Sequence, residues 1–573
     1  MLAYAAFEWG GVVRSDQYQY LLVLGLLAMV VSFGRSRVEW APSPGRAIRW
    51  VATLLPAYAL LQVIPLPVPL LRVLSPARAE AVAALDLIGA KVNFASLSVS
   101  PDATFQSFLL VCGYVIVFLL ARELTWRLGA APRFVGRGRT SNVVIPSQAR
   151  NPALSNLDPL RDFSLPAAPR NDKPGGFTPP FSGWRGKPAA TFNAEAAGAG
   201  LKPAAASGAE ALHYEGSCWL AIWPIVTIGV LEAGLGLWQY FSGTGEQVRY
   251  FFGGSGEHLR WGTYANHDHY AGFLEMALPF AVVYPVALLH RARARAHSLT
   301  LDTWHLKPAF STRHLAPPPH TPHLAPALSR HLAPDTRHLA PALAVWALAG
   351  VILAGIVFSF SRMGFIAALF SLFVMGALAF GARPVSWVAS ARKRQAGAVG
   401  MVAALLLTGF LFLPPDKLIL RFAQIASVEG LTAEGRIKLW AETIPLIKAY
   451  PVFGCGLGGY ETAFSRFKVS GVLVTDDFAH NDYLQLLAEL GLVGFAVGAT
   501  LAFSAVRMAV RRAVSCADPG TRCFAVACAG ALAAILLHSL VDFNLYIPAN
   551  AMLLAWIAGM VVGNRDWGLG TGD

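Results

Sequence analysis

Long apolar blocks alternate with polar loops along most of this chain. Eleven blocks are mostly apolar over the roughly 17 to 25 residues that a helix needs to cross a bilayer. They lie near 18–34, 51–72, 105–121, 217–241, 269–289, 342–360, 363–381, 398–414, 483–506, 523–541 and 548–563. The blocks lack the period-two alternation of membrane-spanning strands. The pattern predicts an all-α polytopic integral membrane protein with about eleven transmembrane helices.

The composition agrees with this pattern. Of the 573 residues, 55% are hydrophobic and only 14% are charged, and the mean hydropathy is +0.49. A soluble domain of this size would carry many more charged residues. The composition therefore places the chain in the lipid bilayer.

Basic residues give the chain a formal net charge of +13, and they are concentrated in alternate loops. Because Lys and Arg favour cytoplasmic loops, we predict a cytoplasmic position for the basic loops at 35–49, 291–295, 383–394 and 507–522. The N-terminus and four other loops are then predicted to lie outside the cytoplasm, at 73–104, 242–268, 415–482 and 542–547. Membrane topology explains the charge better than nucleic acid, and we predict no nucleic-acid partner.

The first residues raise a second possibility for the number of helices. The segment from Met1 to Gln17 has no charged region followed by an apolar core, so it is not a secretory signal. An extracytoplasmic N-terminus without a signal is unusual. A twelfth helix that precedes Met1 is therefore an alternative.

Blocks and loops together divide the chain into seven segments. We expect N-terminal transmembrane helices over 1–127, a disordered cytoplasmic insertion over 128–212, transmembrane helices over 213–304, a His-Leu-Ala-Pro repeat insertion over 305–341, transmembrane helices over 342–414, a large outer loop over 415–482 and C-terminal transmembrane helices over 483–573. The first insertion is rich in Pro, Ala, Gly and Ser without an apolar period. The second contains clustered histidines, but a neutral spacer is favoured over metal binding because a Pro-rich repeat has no fixed geometry.

Gly454, Gly456 and Gly459 satisfy the dinucleotide-binding pattern GxGxxG. They follow Pro451 in a predicted outer loop, without the preceding buried strand that a nucleotide site needs. A turn that lets the backbone approach another surface, such as a phosphate, is the favoured interpretation.

Two arginines stand where predicted outer loops meet membrane helices. Arg362 interrupts two adjoining apolar blocks, and an ionisable side chain at membrane depth costs about 2.5 kcal/mol or more. A functional role is therefore favoured over a plain turn. Arg436 begins a helix predicted over 433–449, with Trp440 and Thr443 on the same face. An amphipathic helix on the bilayer surface explains this second segment equally well.

Polar residues also precede two helices from the outer side. Asn481 and Asp482 are ordinary helix caps. His480 lies at the positive end of the helix dipole, which favours a neutral imidazole that can accept a proton. Asn266 and His269 enter another helix. Hydrogen bonding to a ligand is favoured there over a metal site, because histidines two residues apart diverge at a helix start.

The most specific motif is His480-Asn481, nine residues, and then Gly491-x-x-Gly494. Supporting segments are the Ser-x-Ser-Arg sequence at 359–362, Arg436 to Trp440 followed by the glycine turn, and the sequence at 538–543 that contains Asp542. Together these residues resemble the O-antigen ligase and polymerase superfamily, over roughly 95 to 560 apart from the insertions. Family members often have Asn-Arg-Asn-His where this chain has Asn-His-Asp-His at 266–269. The chain thus loses a cation and gains an acid.

The resemblance implies a glycosyltransferase of the GT-C type in the bacterial inner membrane, with a large periplasmic catalytic loop over 415–482. It implies transfer of a glycan from undecaprenyl diphosphate to a glycan or lipid A core acceptor, without a metal ion or another cofactor. His480 would be the catalytic base, and Arg362 and Arg436 would bind the diphosphate. The expected substrate-binding residues are Asn266, His269, Asn481, Trp440 and Asp542.

The resemblance leaves the acceptor open. Ligase, polymerase and protein O-oligosaccharyltransferase activities would use the same groups. A polytopic transporter is the alternative from another class, and it would show discontinuous helices and paired ionisable groups near the midplane.

Overall fold

The computed structural model describes residues 14–33, 46–129, 218–243, 261–305, 339–381, 433–469 and 476–563. The apolar block at 398–414, the repeated histidines and nearly all of both insertions lie outside the described residues. The interpretations of those segments, and the seven segment boundaries, therefore stay predictions.

The described chain is mostly helical. Its helices are α1 (Arg14–Phe33), α2 (Arg46–Val63), α3 (Val68–Leu74), α4 (Pro76–Ala83), α5 (Pro101–Gly129), α6 (Trp223–Ser242), α7 (His267–His305), α8 (Leu339–Phe358), α9 (Arg362–Gly381), α10 (Ala433–Ala449), α11 (Tyr460–Phe464), α12 (Asp482–Ser515), α13 (Pro519–His538) and α14 (Pro548–Gly563). Short 3-10 helices occupy Ala84–Ile88, Cys218–Ile222 and Asn544–Tyr546. Strands β1 (Leu66–Pro67) and β2 (Phe94–Ala95) pair antiparallel, with Leu66 opposite Ala95.

Within the described residues, seven helical segments are long and apolar enough to cross a membrane. They are Pro101–Leu128, Cys218–Ser242, His267–Ala292, Leu339–Phe358, Arg362–Ala379, Asp482–Ser515 and Pro519–His538. Shorter apolar helices cover Gln17–Val30, Ile48–Val63 and Pro548–Gly563. The protein is thus a mostly helical, polytopic membrane protein, while eleven helices and a fold of the GT-C type stay predictions.

One predicted span differs from the structure. The apolar block at 51–72 is not one helix, because α2 ends at Val63 and the chain continues through β1 into α3. Pro65 and Pro67 explain the interruption, since proline lacks the N–H that a continuing helix must donate. The block is therefore a helix followed by a short strand and the start of a second helix.

Helices α7 and α13 form the centre of the bundle. The apolar windows of both are 72% buried inside the protein, against 22% for that of α5. Helix α14 approaches α5 closely through Gly559 and Gly563, where an added Cβ would overlap the backbone oxygens of Phe118 and Arg122. Small residues four apart allow such contact between membrane helices.

Helix α12 is broken at Gly491, which has φ 61° and ψ −172°. A residue with a side chain adopts this backbone conformation only with strain. The break frees backbone groups that the helix would otherwise use, and the loop at 451–456 bonds them. The N–H groups of Cys455 and Gly456 donate to the oxygens of Ala488 and Glu489, and those of Leu492 and Val493 donate to the oxygens of Pro451 and Val452. The loop thereby becomes part of the helix packing.

The described loops that were predicted to lie outside the cytoplasm contact one another. The N–H of Val99 donates to the oxygen of Cys455, and Ser361 Oγ donates to Asp268. His480 and Asp542 are also in contact. The polar residues singled out in the sequence are therefore gathered at one end of the helix bundle.

Candidate functional site

A buried carboxylate lies at the centre of the polar end. Asp542, only 1% exposed, belongs to the turn between α13 and α14. Its Oδ1 lies 3.2 Å from Nδ1 of His480, just before α12. Its Oδ2 lies 3.4 Å from Nε2 of His269, in the first turn of α7. One carboxylate thus contacts two of the histidines selected from the sequence.

The charge of Asp542 follows from these contacts. Burial alone would raise the pKa of Asp542, but the neighbouring His269 and His480 side chains hold it well below its usual value. The carboxylate is therefore ionised at neutral pH and can only accept hydrogen bonds. His480 must then carry its proton on Nδ1 when its ring is neutral, which leaves Nε2 unprotonated.

The other ring nitrogen of His480 is available. The side chain is 18% exposed, and Nε2 has no hydrogen-bond partner among the residues that the structure describes. An unprotonated Nε2 that reaches solvent can take a proton from a bound hydroxyl group. The arrangement has the geometry of a general base with an orienting carboxylate.

The backbone around His480 is strained and held on both sides. His480 has φ 48°, a left-handed conformation that costs a residue with a side chain about 1–3 kcal/mol. The preceding Ala479 accepts from the indole N–H of Trp440 at 3.0 Å and donates its own N–H to Gln485 at 2.9 Å. Asn481 caps α12, as predicted, by accepting from the N–H groups of Tyr483 and Leu484. Strain that is maintained by such contacts is typical of functional positions.

Asp482 connects the start of α12 to the turn that bears Asp542. Its N–H donates to the backbone oxygens of Ser539 and Asp542. Its buried carboxylate accepts from the N–H of Leu545. The relative positions of His480 and Asp542 are thus fixed by the backbone as well as by their side-chain contact.

An aromatic ring separates the two imidazoles. Phe543 meets His269 and His480 edge to face, with ring centroids 4.5 and 4.8 Å apart. The same ring stacks on Phe478 at 4.0 Å. These contacts hold both imidazole rings in place and surround the carboxylate with apolar surface.

Asp268 lies between the two elements that carry the predicted diphosphate ligands. Its Oδ1 accepts from Ser361 Oγ at 2.5 Å, and its Oδ2 lies 3.7 Å from Nη2 of Arg436 on α10. Ser361 Oγ also accepts from the N–H of Gly364 and so caps α9, whose first residue is Arg362. The acid that departs from the family pattern therefore joins the two arginine-bearing elements.

Both arginines keep donors for a ligand. Arg362 is exposed at the N-terminus of α9. The side chain of Arg436 is 25% exposed, and its Nε, which is itself buried, has no hydrogen-bond partner in the described part of the chain. A guanidinium with free donors suits a phosphate or diphosphate, which it can bind through two parallel hydrogen bonds.

Three expected substrate ligands already make structural bonds. Asn266 caps α7 by accepting from the N–H of Asp268 at 2.8 Å. Asn481 caps α12, and Trp440 bonds to Ala479. Contacts of these side chains with a substrate stay predictions, as do those of His269 and Asp542.

The glycine turn approaches α12. An added Cβ on Gly454 would overlap the backbone of Glu489. The N–H groups of Leu457 and Gly458 donate to Gln62 Oε1 and Glu489 Oε2. The surface predicted to lie against this turn is thus a protein helix, and these N–H groups are not available to a phosphate.

Sequence reasoning missed several acidic residues inside the apolar blocks. Glu275 and His538 form a pair at 3.1 Å, and both are fully buried. Glu232 accepts from the N–H and hydroxyl of Thr263, and Glu489 is also fully buried. An ionisable side chain within a transmembrane block costs free energy and therefore indicates a functional or structural role. This signal could have identified all three glutamates.

No group of three or more His, Cys, Asp and Glu side chains could hold a metal ion among the residues that the structure describes. The histidine repeat lies outside them, so the expectation of a metal-independent site stays a prediction.

Comparison with known proteins finds one family model that matches part of the chain. Residues 347–499 match the family model described as O-antigen ligase. The matched region contains Arg362, Arg436 and His480, together with the glycine turn and the break in α12. Among curated proteins, none matches the chain. The predicted resemblance to the O-antigen ligase superfamily is confirmed for this matched segment.

Proposed function

We propose that this protein is a glycosyltransferase that moves a glycan from undecaprenyl diphosphate to an acceptor hydroxyl at the periplasmic face of the bacterial inner membrane. The observation that carries the proposal is the His480–Asp542 pair, at 3.2 Å, at the same end of the bundle as Arg362 and Arg436. A base and a diphosphate-binding pair are the two functions that this transfer requires.

The proton transfer is assigned to His480. Asp542 accepts a hydrogen bond from the Nδ1–H group of His480 and orients the ring. Nε2 then takes the proton of the acceptor hydroxyl as its oxygen attacks the anomeric carbon of the glycan. The bond between that carbon and the phosphate oxygen breaks, and undecaprenyl diphosphate leaves. Because the acceptor oxygen attacks the anomeric carbon directly, we propose a single displacement that inverts the configuration at that carbon.

The arginines are assigned to the leaving group. Negative charge grows on the diphosphate oxygen as the bond to the sugar breaks, and guanidinium groups stabilise that charge more in the transition state than in the ground state. Nη2 of Arg436 lies 3.7 Å from Oδ2 of Asp268. A diphosphate bound by Arg436 would therefore compete with this carboxylate for the guanidinium group.

The site suits several acceptors. A lipid A core acceptor would make the protein an O-antigen ligase, a growing glycan would make it a polymerase, and a protein hydroxyl would make it an O-oligosaccharyltransferase. We favour the ligase because residues 347–499 match the O-antigen ligase model.

A transporter is the second candidate, because α12 is broken and Glu275 forms a buried pair with His538. A transporter uses the free backbone groups of a broken helix to bind ions or substrate. In this protein the loop at 451–456 bonds the backbone groups at the break. The break therefore has a structural explanation and does not require a transport site.

The proposal is tested by assaying the full chain, reconstituted in liposomes, with a lipid-linked glycan and an acceptor. His480→Ala should slow turnover roughly 100- to 10,000-fold while donor binding survives. The matched control is His290→Ala, which alters an exposed histidine elsewhere on α7. Near-normal turnover in His480→Ala contradicts the base assignment. If His480→Gln retains turnover but binds the donor weakly, the histidine is only a donor ligand.

A further inference from the structure

A fully buried acid that the proposed reaction does not use lies inside the outer half of α12. Glu489 is 0% exposed, and four groups donate hydrogen bonds to its carboxylate. They are the N–H of Gly458 at 2.7 Å, the N–H of Tyr460 at 3.2 Å, the hydroxyl of Tyr546 at 2.7 Å and the side-chain amide of Gln485 at 3.4 Å. A carboxylate with four donors in a buried place has a defined position.

The direction of these bonds is determined by their chemistry. The N–H of Ala479 can only donate, so Gln485 must present Oε1 to Ala479. Its NH2 group then faces Glu489, which must accept. The N–H groups of Gly458 and Tyr460 can likewise only donate. An amide in place of Glu489 would put an NH2 group against at least one backbone N–H, whichever way the amide turned.

The first connection of Glu489 leads to His480. Gln485 bonds to Glu489 at one end and to the N–H of Ala479 at the other. Ala479 directly precedes the strained His480. The position of the proposed base therefore depends on the position of Glu489.

The second connection leads to Asp542. Tyr546, whose hydroxyl donates to Glu489, belongs to the turn at 539–547 that carries Asp542.

The third connection leads to α10. Tyr460 donates its N–H to Glu489, and its hydroxyl shares a 2.8 Å hydrogen bond with Thr443 on α10. Helix α10 bears Arg436.

We propose that Glu489 is a positioning residue that holds the proposed base His480, its partner Asp542 and the arginine-bearing helix α10 in register with one another. The inference rests on the proposed function for the roles of those residues, and on the hydrogen bonds for their connection. Glu489 acts through the three segments and does not touch the substrate.

The backbone of Glu489 strengthens this arrangement. Its oxygen accepts from the N–H of Gly456 at 3.0 Å and from Gln62 Nε2 at 2.9 Å. Gln62 also bonds to Phe453 and Leu457, so α2 holds the same loop. Glu489 thus has both its backbone and its side chain fixed immediately before the break at Gly491.

The first test compares turnover and donor KM in Glu489→Gln with those in the parent. The change keeps the size of the side chain but removes an acceptor, so the register of the three segments should loosen. Turnover should fall roughly 10- to 100-fold, because displacements of about 1 Å have effects of this size. Donor KM should change by no more than about 3-fold, because the arginines stabilise mainly the charge that grows in the transition state. Glu461→Gln, an exposed acid in the neighbouring α11, is the matched control and should match the parent.

The second test measures register without activity. Nitroxide labels are placed on Ile437→Cys, next to Arg436, and on Leu540→Cys, in the turn of Asp542; both positions are exposed, at 60% and 46%. The partly exposed cysteines Cys112, Cys516 and Cys523 are first replaced by serine. Pulsed electron paramagnetic resonance should give one narrow distance distribution in the parent and in Glu461→Gln. Glu489→Gln should give a broader one.

The two readouts together decide. A broader distribution with lower turnover and unchanged KM supports the inference. An unchanged distribution, or a broader one with parental turnover, overturns it. If the parent transfers no glycan, the proposed function fails, and the label distances still decide whether Glu489 holds the segments together.

A milder variant guards against misfolding of Glu489→Gln. Tyr546→Phe removes one hydrogen bond and leaves the ring in place, so it breaks only the connection to the Asp542 turn. We expect a smaller broadening and a smaller loss of turnover than in Glu489→Gln. Parental values for both in Tyr546→Phe overturn the proposed connection to Asp542.

Discussion

At the scale of single residues, the site depends on two carboxylates that are largely buried and that contact specific partners. Asp542 contacts two imidazoles, and Asp268 contacts a serine hydroxyl and a guanidinium. Each carboxylate accepts from groups on other elements. Replacing either by its amide keeps the shape and removes the charge, which separates electrostatic effects from packing.

The depressed pKa of Asp542 predicts how stability depends on pH. Its neighbours hold the folded-state pKa well below its usual value, which is about 3.9 in an unfolded chain. The stabilisation is therefore present above about pH 4 and is lost as pH falls through the folded pKa. Thermal unfolding in detergent should show a lower Tm for Asp542→Asn than for the parent at pH 6. The difference should shrink below about pH 4, and a difference that is constant with pH would contradict the assignment.

Asp268 predicts a gain of donor affinity on mutation. Asp268→Asn keeps an acceptor for Ser361 but removes the negative charge beside Arg436. A partly exposed pair of this kind contributes about 0.2–1 kcal/mol, so donor KM should fall up to about 5-fold. Asp476→Asn, which breaks the separate pair with Lys468, is the control and should leave KM unchanged. An increase in KM for Asp268→Asn would mean that this acid helps to bind the donor.

At the scale of helices, the sequence predicted the apolar blocks and several details of their ends. The helix predicted over 433–449 is found at Ala433–Ala449, and Asn481 caps α12 as expected. The sequence also selected His480 and both arginines. It did not predict their partners, since His480 and Asp542 are 62 residues apart and such pairing depends on how distant helices pack. The break in α12 was missed because its apolar pattern continues through Gly491.

The break itself predicts the effect of one methyl group. Gly491→Ala would force a side chain into a left-handed backbone conformation and into the oxygen of Val452. Strain of this kind costs about 1–3 kcal/mol, before the overlap is counted. Tm should therefore fall, and protease cleavage of the loop at 451–456 should become faster.

Gly498 on the same helix provides the control for this change. An added Cβ there meets nothing within 4 Å. Gly498→Ala should leave Tm unchanged or raise it slightly, because alanine favours a helix by about 0.5–1 kcal/mol over glycine. Equal Tm values for the two alanine variants would show that α12 tolerates a continuous helix at position 491.

At the scale of the whole molecule, the helices separate two ends of different chemistry. The described segments predicted to lie outside the cytoplasm meet around Asp542 and Asp268. The loop between α12 and α13, which was predicted to be cytoplasmic, lies at the opposite ends of those helices from His480 and Asp542. A reaction on lipid-linked substrates outside the cytoplasm needs this separation.

The last prediction is that the candidate site opens on the side of the membrane away from the cytoplasm. Val469 is 80% exposed in the segment that precedes His480, and Ala517 is exposed in the loop between α12 and α13. Each is changed to cysteine in a chain whose partly exposed cysteines are replaced by serine. Lys and Arg are concentrated in the loops predicted to be cytoplasmic. A maleimide that cannot cross the inner membrane should therefore label Val469→Cys in cells in which only the outer membrane has been made permeable. It should label Ala517→Cys only after the inner membrane is opened. The reverse result would place His480, Arg362 and Arg436 in the cytoplasm, where the donor glycan of the proposed reaction would not be presented.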